Sequence, residues 1–274
     1  NHSISHSLGS NPGLIMIKRT DGTGDWMCYH NSLGLNKYIK LNSNAQASEN
    51  SSIWVSVGED TIVLNSSSLV NGNNNEYVAY IWAVGGNTHE VFGEDMDEPI
   101  IKAGNFTYSG SEVNVDCGFE PQWVLAKSYS GGNSDWYMWD TSAQWDTTKR
   151  LTVNVNDSGT PPVSTNSSTY VEPYSKGFRF KTGGSGRTYM YLAIAAATGR
   201  NMLKITNPAT LRRCITGGAS PGSFFSYNVK RVDASFVMRR DSYAGDSYGR
   251  MDLSSRLSGS YHIRMDVDSA EVSE

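Results

Sequence analysis

A chain of 274 residues with 27 Gly, 7 Trp, 15 Tyr and only 18% charged residues is polar without being charged. That excludes the charge-rich, aromatic-poor composition of disordered chains and leaves enough ring surface for a core. The net charge of −4 excludes a broadly basic nucleic-acid binder, while a local basic patch stays compatible with it.

In chain order, residues 1–10 lack the basic and apolar regions of a signal peptide. Residues 14–18, 26–30, 38–41 and 61–64 read as short strands, and residues 77–83 as the strongest strand, expected to be central because it is apolar on both faces. Turn signals separate them: Asp21-Gly22, Gly85-Gly86-Asn87, Gly131-Gly132-Asn133 and Gly183-Gly184. The longest apolar run, residues 77–84, is strand-sized and far below the roughly 18 residues of a membrane span. No stretch of twelve or more residues keeps a helical period; one short helix candidate, residues 207–214, carries Pro at its second position. Cys28, Cys117 and Cys214 are odd in number and lack C-x-x-C spacing, so free thiols and a reducing cytosol are expected.

The chain repeats itself. Residues 12–30, PGLIMIKRTDGTGDWMCYH, parallel residues 121–140, PQWVLAKSYSGGNSDWYMWD: Pro, a short apolar run, Lys18 or Lys127, a Gly-rich turn, then Asp25-Trp26 or Asp135-Trp136. His30 and Asp140 share one repeat position. KYIKLN at 37–42 parallels KRLTVN at 149–154, and Tyr77 in NEYVAYIWA parallels Tyr189 in RTYMYLAIA. A weaker third copy starts near Asn228, with Tyr248 or a neighbour in place of Trp. The sequence thus predicts an all-β chain of tandem jelly-roll-like β-sandwiches with a partial third module. The expected division is 1–92 and 93–200 for two repeats, 201–227 for a linker and 228–274 for the third. That last piece is too small for a core of its own and is expected to pack on a neighbour, to be completed by another chain or to continue further.

These residues resemble a repeated virion domain of tailed bacteriophages and prophages, common in marine phages. The resemblance lies in His6-Ser7-Leu8-Gly9, Pro12, Lys18-Arg19-Thr20, Asp25-Trp26, residues 37–42 and Tyr77 to Tyr80, and covers the chain to about Ala197 and again after Asn228. Thr160-Pro161-Pro162 and the third unit depart from the pattern. The resemblance implies a structural protein of the virion, a tail fibre or spike or a capsid fibre or decoration, with other capsid or tail proteins as partners and a homotrimer by analogy. It implies no defined enzymatic chemistry and carries over no catalytic residue; from the residues themselves no cofactor, no metal, no nucleic acid and no membrane is expected as a partner.

Motifs for chemistry are sparse. Glu94, Asp95, Asp97 and Glu98 form an acidic cluster before Pro99, read as a solvated connection between repeats rather than a cation site. Asp266, Asp268 and Glu271 lack the Gly and final Glu of a calcium loop. Residues 218–222 match G-x-S-x-G but sit between Gly217 and Pro221-Gly222, a loop rather than a nucleophile elbow. His2, His6, His30, His89 and His262 have no zinc-ligand spacing. The basic pairs Lys18-Arg19, Lys149-Arg150 and Arg239-Arg240 read as solvated strand ends. Trp26 and Trp136, with Tyr77 and Tyr189, read as repeat-core anchors. Trp139 and Trp145 lie in a segment particular to the second repeat and are the candidates for a surface contact, either with a host-surface glycan or with a neighbouring subunit. A carbohydrate-binding adhesion module is therefore an alternative function, and a polysaccharide depolymerase, which needs two carboxylates about 5 to 9.5 Å apart, a second alternative.

Overall fold

A computed structural model describes residues 1–85, 91–92, 98–140, 149–154, 163–165, 170–181 and 184–195, and the backbone of six short strands between 213 and 273. The described residues form strands and turns and contain no helix, so the chain is all-β. The Gly, Asn and Ser turns and the short β-branched and aromatic runs leave no length for a helix to nucleate.

The first unit has eight strands: β1 (His2–Ser5), β2 (Pro12–Arg19), β3 (Met27–His30), β4 (Lys37–Lys40), β5 (Ser48–Glu49), β6 (Trp54–Val57), β7 (Thr61–Leu64) and β8 (Tyr77–Ala83). They make a five-stranded sheet ordered β5-β4-β3-β2-β8 and a three-stranded sheet ordered β1-β7-β6. Two short paired strands, β9 (Val91–Phe92) and β10 (Glu98–Pro99), lead to the second unit. It comprises β11 (Ile101–Tyr108), β12 (Val113–Asp116), β13 (Pro121–Ser130), β14 (Tyr137–Asp140), β15 (Lys149–Thr152), β16 (Val163–Thr165), β17 (Tyr170–Tyr174), β18 (Gly177–Lys181) and β19 (Arg187–Ala195). Its sheets are ordered β11-β19-β13-β14-β15-β16 and β12-β18-β17. Beyond it β20 (Arg213–Ile215) pairs with β21 (Phe225–Tyr227), and β22 (Ala234–Arg239), β23 (Arg250–Ser255), β24 (Tyr261–Arg264) and β25 (Val272–Ser273) form a four-stranded sheet. The helix candidate at 207–214 lies outside the described residues except at β20, which is a strand.

The two units share register as well as order. Met16 faces Cys28 and Tyr80 across its two neighbouring strands; Leu125 faces Met138 and Leu192. Each leading strand is bulged just after its proline, between Pro12 and Leu14 and between Pro121 and Trp123. Pro has no N–H for the ladder, so a bulge is where a strand tolerates it.

Each unit is a sandwich with its own core. Ile15, Ile17, Met27, Tyr29, Ile53, Trp54, Ile62 and Leu64 fill the first. Val124, Ala126, Trp139, Phe178, Phe180, Tyr189 and Tyr191 are among those filling the second. A third core joins the two: Leu14, Met16, Trp26, Cys28, Ile39, Leu41 and Tyr80 pack with Leu125, Trp136, Met138, Val153, Met190 and Leu192. The larger sheets thus lie face to face, and the two sandwiches are fused into four layers rather than strung as beads.

This fusion corrects one expectation. Residues 77–83 are apolar on both faces, yet β8 stands at the end of its sheet order rather than in the middle. Val78, Tyr80 and Trp82 turn to the shared core, and Tyr77, Ala79 and Ile81 to the first sandwich. Burial from two sides, not a central place, makes the run apolar.

Candidate functional site

The seam between the larger sheets collects the polar groups that sequence reading singled out in pairs. In the first unit the Asn42 side chain accepts the Trp26 amide at 3.1 Å and donates to Asp25 Oδ1 at 2.9 Å, while the Leu41 amide donates to the Trp26 carbonyl. The second unit repeats this with Asn154, Trp136, Asp135 and Val153, at 2.7 and 2.9 Å for the two Asn154 bonds. The Asp-Trp turn and the later Asn, seventeen residues on in one unit and nineteen in the other, are therefore halves of one clasp. Each clasp seats its indole in the shared core. Burial raises the Asp25 pKa, but hydrogen bonds from the Lys40 ammonium and Asn42 outweigh it and hold the carboxyl below its ordinary value.

The anchors occupy this frame. Trp26 and Trp136 are sealed in the seam, and the Trp136 indole N–H donates to the Lys40 carbonyl of the other unit at 2.9 Å. Tyr189 is buried in the second sandwich. Tyr77 is half-buried and donates its hydroxyl to the Ser68 carbonyl at 2.7 Å.

The structure overturns the solvated reading of Lys18, which is fully buried, as is its repeat mate Lys127. β2 is an interior strand with both faces covered, so its last apolar position and the lysine after it are enclosed together. Lys18 Nζ donates to the Arg19 carbonyl at 3.0 Å. Lys127 Nζ donates to the Asn44 carbonyl across the seam at 3.0 Å and to the Ser134 carbonyl in its own hairpin. Around it the Ser134 amide donates to Asn44, the Ala47 amide to Tyr129 and the Gly132 amide to the Gln46 side chain. Burial pulls the Lys127 pKa down to about 7, against the attraction of Asp135 and with the repulsion of Arg187. The loop after β4 is thereby stapled to the β13–β14 hairpin, which turns through Gly131 and Gly132, both with positive φ.

Of the glycan candidates, Trp139 is 3% exposed and packs on Phe180 and Tyr137 inside the second sandwich, so its ring offers no face to a sugar. β14 alternates, sending Met138 to the seam and Trp139 to the opposite core. Trp145 lies outside the described residues, as do Glu94, Asp95 and Asp97, the 218–222 motif, Asp266, Asp268, His89 and Glu271. Cys28 and Cys117 are free and buried, and burial raises both thiol pKa values, that of Cys117 to about 12. Among the described residues no group of three or more His, Cys, Asp or Glu is placed to hold a metal ion, and no helix is long and apolar enough to cross a membrane.

A paired-sandwich repeat protein, with the repeats fused through their larger sheets, is the class this architecture defines. The chain belongs to the family described as Domain of unknown function (DUF7483), whose pattern matches residues 1–197, the span of both sandwiches. No curated protein matches the chain, and no solved structure matches it.

Proposed function

We propose that the chain is a structural component of a bacteriophage virion, a tail fibre or spike or a capsid fibre or decoration, that braces the particle or meets the host surface without turning over a substrate. The observation that supports this reading best is the shared core: residues from both repeats interlock between the larger sheets, with both clasps and the Lys127 staple at its border. Such a body resists shear between its repeats, which suits an element that transmits or withstands load. Surface attachment in this reading comes from many weak contacts acting together rather than from one deep site.

Cryo-electron microscopy of the purified particle tests the proposal. Density for the four-layered body at a tail or capsid position, touching other virion chains, is the expected result; a particle lacking the chain would sink it. Incubation of the full chain with host polysaccharide separates the enzymatic alternative, because a depolymerase would release sugar and a bracing module would not.

A further inference from the structure

We propose that His30 makes the seam between the two sandwiches acid-sensitive, acting as a latch that holds while its imidazole is neutral and loosens once the ring is protonated. His30 ends β3 and is 1% exposed. Its Nδ1 accepts the Ser32 backbone amide at 3.2 Å. Since Nδ1 is the acceptor, the proton of the neutral ring sits on Nε2, which donates to the Tyr191 carbonyl across the seam at 3.1 Å. Both nitrogens are used, one within the first unit and one to the second. A second proton has no place in this arrangement, because a protonated Nδ1 would point at the Ser32 N–H, itself a donor. Charging the ring breaks that bond and leaves a cation in the seam core.

The surroundings offer that cation little compensation. On its own strand the same face carries Cys28, a thiol kept neutral by burial, while the neighbouring Tyr29 phenol turns to the first sandwich core and is also kept neutral by burial. β2 presents Leu14 opposite it. β19 gives the Tyr191 carbonyl, while the Tyr191 phenol faces the second sandwich core beside Cys117. β11 gives the uncharged amide of Asn105, which donates to the Ser32 hydroxyl at 3.1 Å and so ties the same turn to the second unit. Among the described residues no carboxylate and no cation acts on the ring: burial lowers its pKa to about 4, opposed by the Tyr191 hydrogen bond alone.

The sign follows from linkage. Between about pH 6.5 and about pH 4 the unfolded or opened chain binds a proton at His30 that the closed seam refuses. Closure therefore weakens as pH falls through this window, by about 300-fold once both states are protonated. Lys127, the titratable group of the separate staple, is largely protonated in both states below its pKa of about 7 and adds little in this window.

The full chain and its His30→Gln variant test this. Gln keeps an N–H donor near the Nε2 position and cannot take up a proton in this range. Tryptophan emission and binding of an apolar dye follow the seam from pH 7.5 to 3.5, with far-ultraviolet circular dichroism reporting the strands. The wild-type chain is expected to expose the seam between pH 6.5 and 4 with its strand signal retained, and the variant to do so at least one pH unit lower. Identical midpoints in the two chains would overturn the proposal. Nitrogen NMR of the wild-type histidines stands independently of the variant's folding. An Nε2-protonated ring at His30 that stays neutral until the seam opens is expected; an Nδ1-protonated ring, or free titration near pH 6.5 with the seam closed, would overturn it.

Discussion

Lys127 and the two clasp asparagines carry the consequences that belong to single residues. An ammonium enclosed in the seam lowers stability unless its hydrogen bonds compensate, and Lys127 has two carbonyl acceptors. Its folded pKa of about 7 lies below its ordinary 10.5, so between these values the unfolded chain holds the extra proton and stability rises with pH. Below pH 7 both states are protonated and the burial penalty stands in full. Urea unfolding of the wild-type chain and Lys127→Met at pH 7, 8 and 9 should show a difference that grows with pH in favour of the wild type, by at most about 1.4 kcal/mol per pH unit; a pH-independent difference would contradict the assignment. Asn154→Ala strips the acceptor from the buried Trp136 amide and a donor from Asp135, and is expected to cost about 1 to 3 kcal/mol in the same assay. A loss within a few tenths would mean that water replaces the clasp. The clasp was half legible in the sequence: Asp-Trp and the Lys-to-Asn segment both stood out as repeated, but nothing local says that two segments far apart in the chain hold each other.

At the scale of the element, the strands were the legible part, because β-branched and aromatic runs between Gly and Asn turns signal themselves locally. Placement within a sheet was not legible. β8 has the apolar surface of a central strand and lies at the end of its order, since a second sandwich covers the face that solvent would otherwise wet. The same covering explains Lys18, whose charge suggests a solvated end while its strand is enclosed. The passage from one unit to the other also depends on backbone that only glycine permits. Gly85 follows β8 with φ of 76°, and a Cβ there would lie 1.7 Å from the Ile101 carbonyl oxygen. The Ala103 amide donates to the Val84 carbonyl at this crossing, at 2.8 Å. Gly85→Ala is therefore expected to push β11 off the first unit and lower the thermal midpoint by several degrees, a loss of about 2 kcal/mol or more. An unchanged midpoint would show that the crossing bears no load.

For the whole molecule, the internal offset of about 110 residues announced two sandwiches but not their union. A repeat pattern reports that two units fold alike; whether they meet is decided by which outward faces stay apolar. Leu14, Met16 and Tyr80 in one unit and Leu125, Met138 and Leu192 in the other are those faces, each in alternation with residues of its own core. If the seam makes the two sandwiches one cooperative body, stability lost in one must appear in the other. The most direct measurement is native-state hydrogen exchange on the full chain and on Leu125→Ala, a truncation in the second unit expected to cost about 2 to 5 kcal/mol. The expected result is faster exchange in β13 and, to a comparable degree, in β2 of the first unit. Faster exchange confined to the second unit, with β2 as protected as before, would show two independent sandwiches and contradict the fused body on which the proposed function rests.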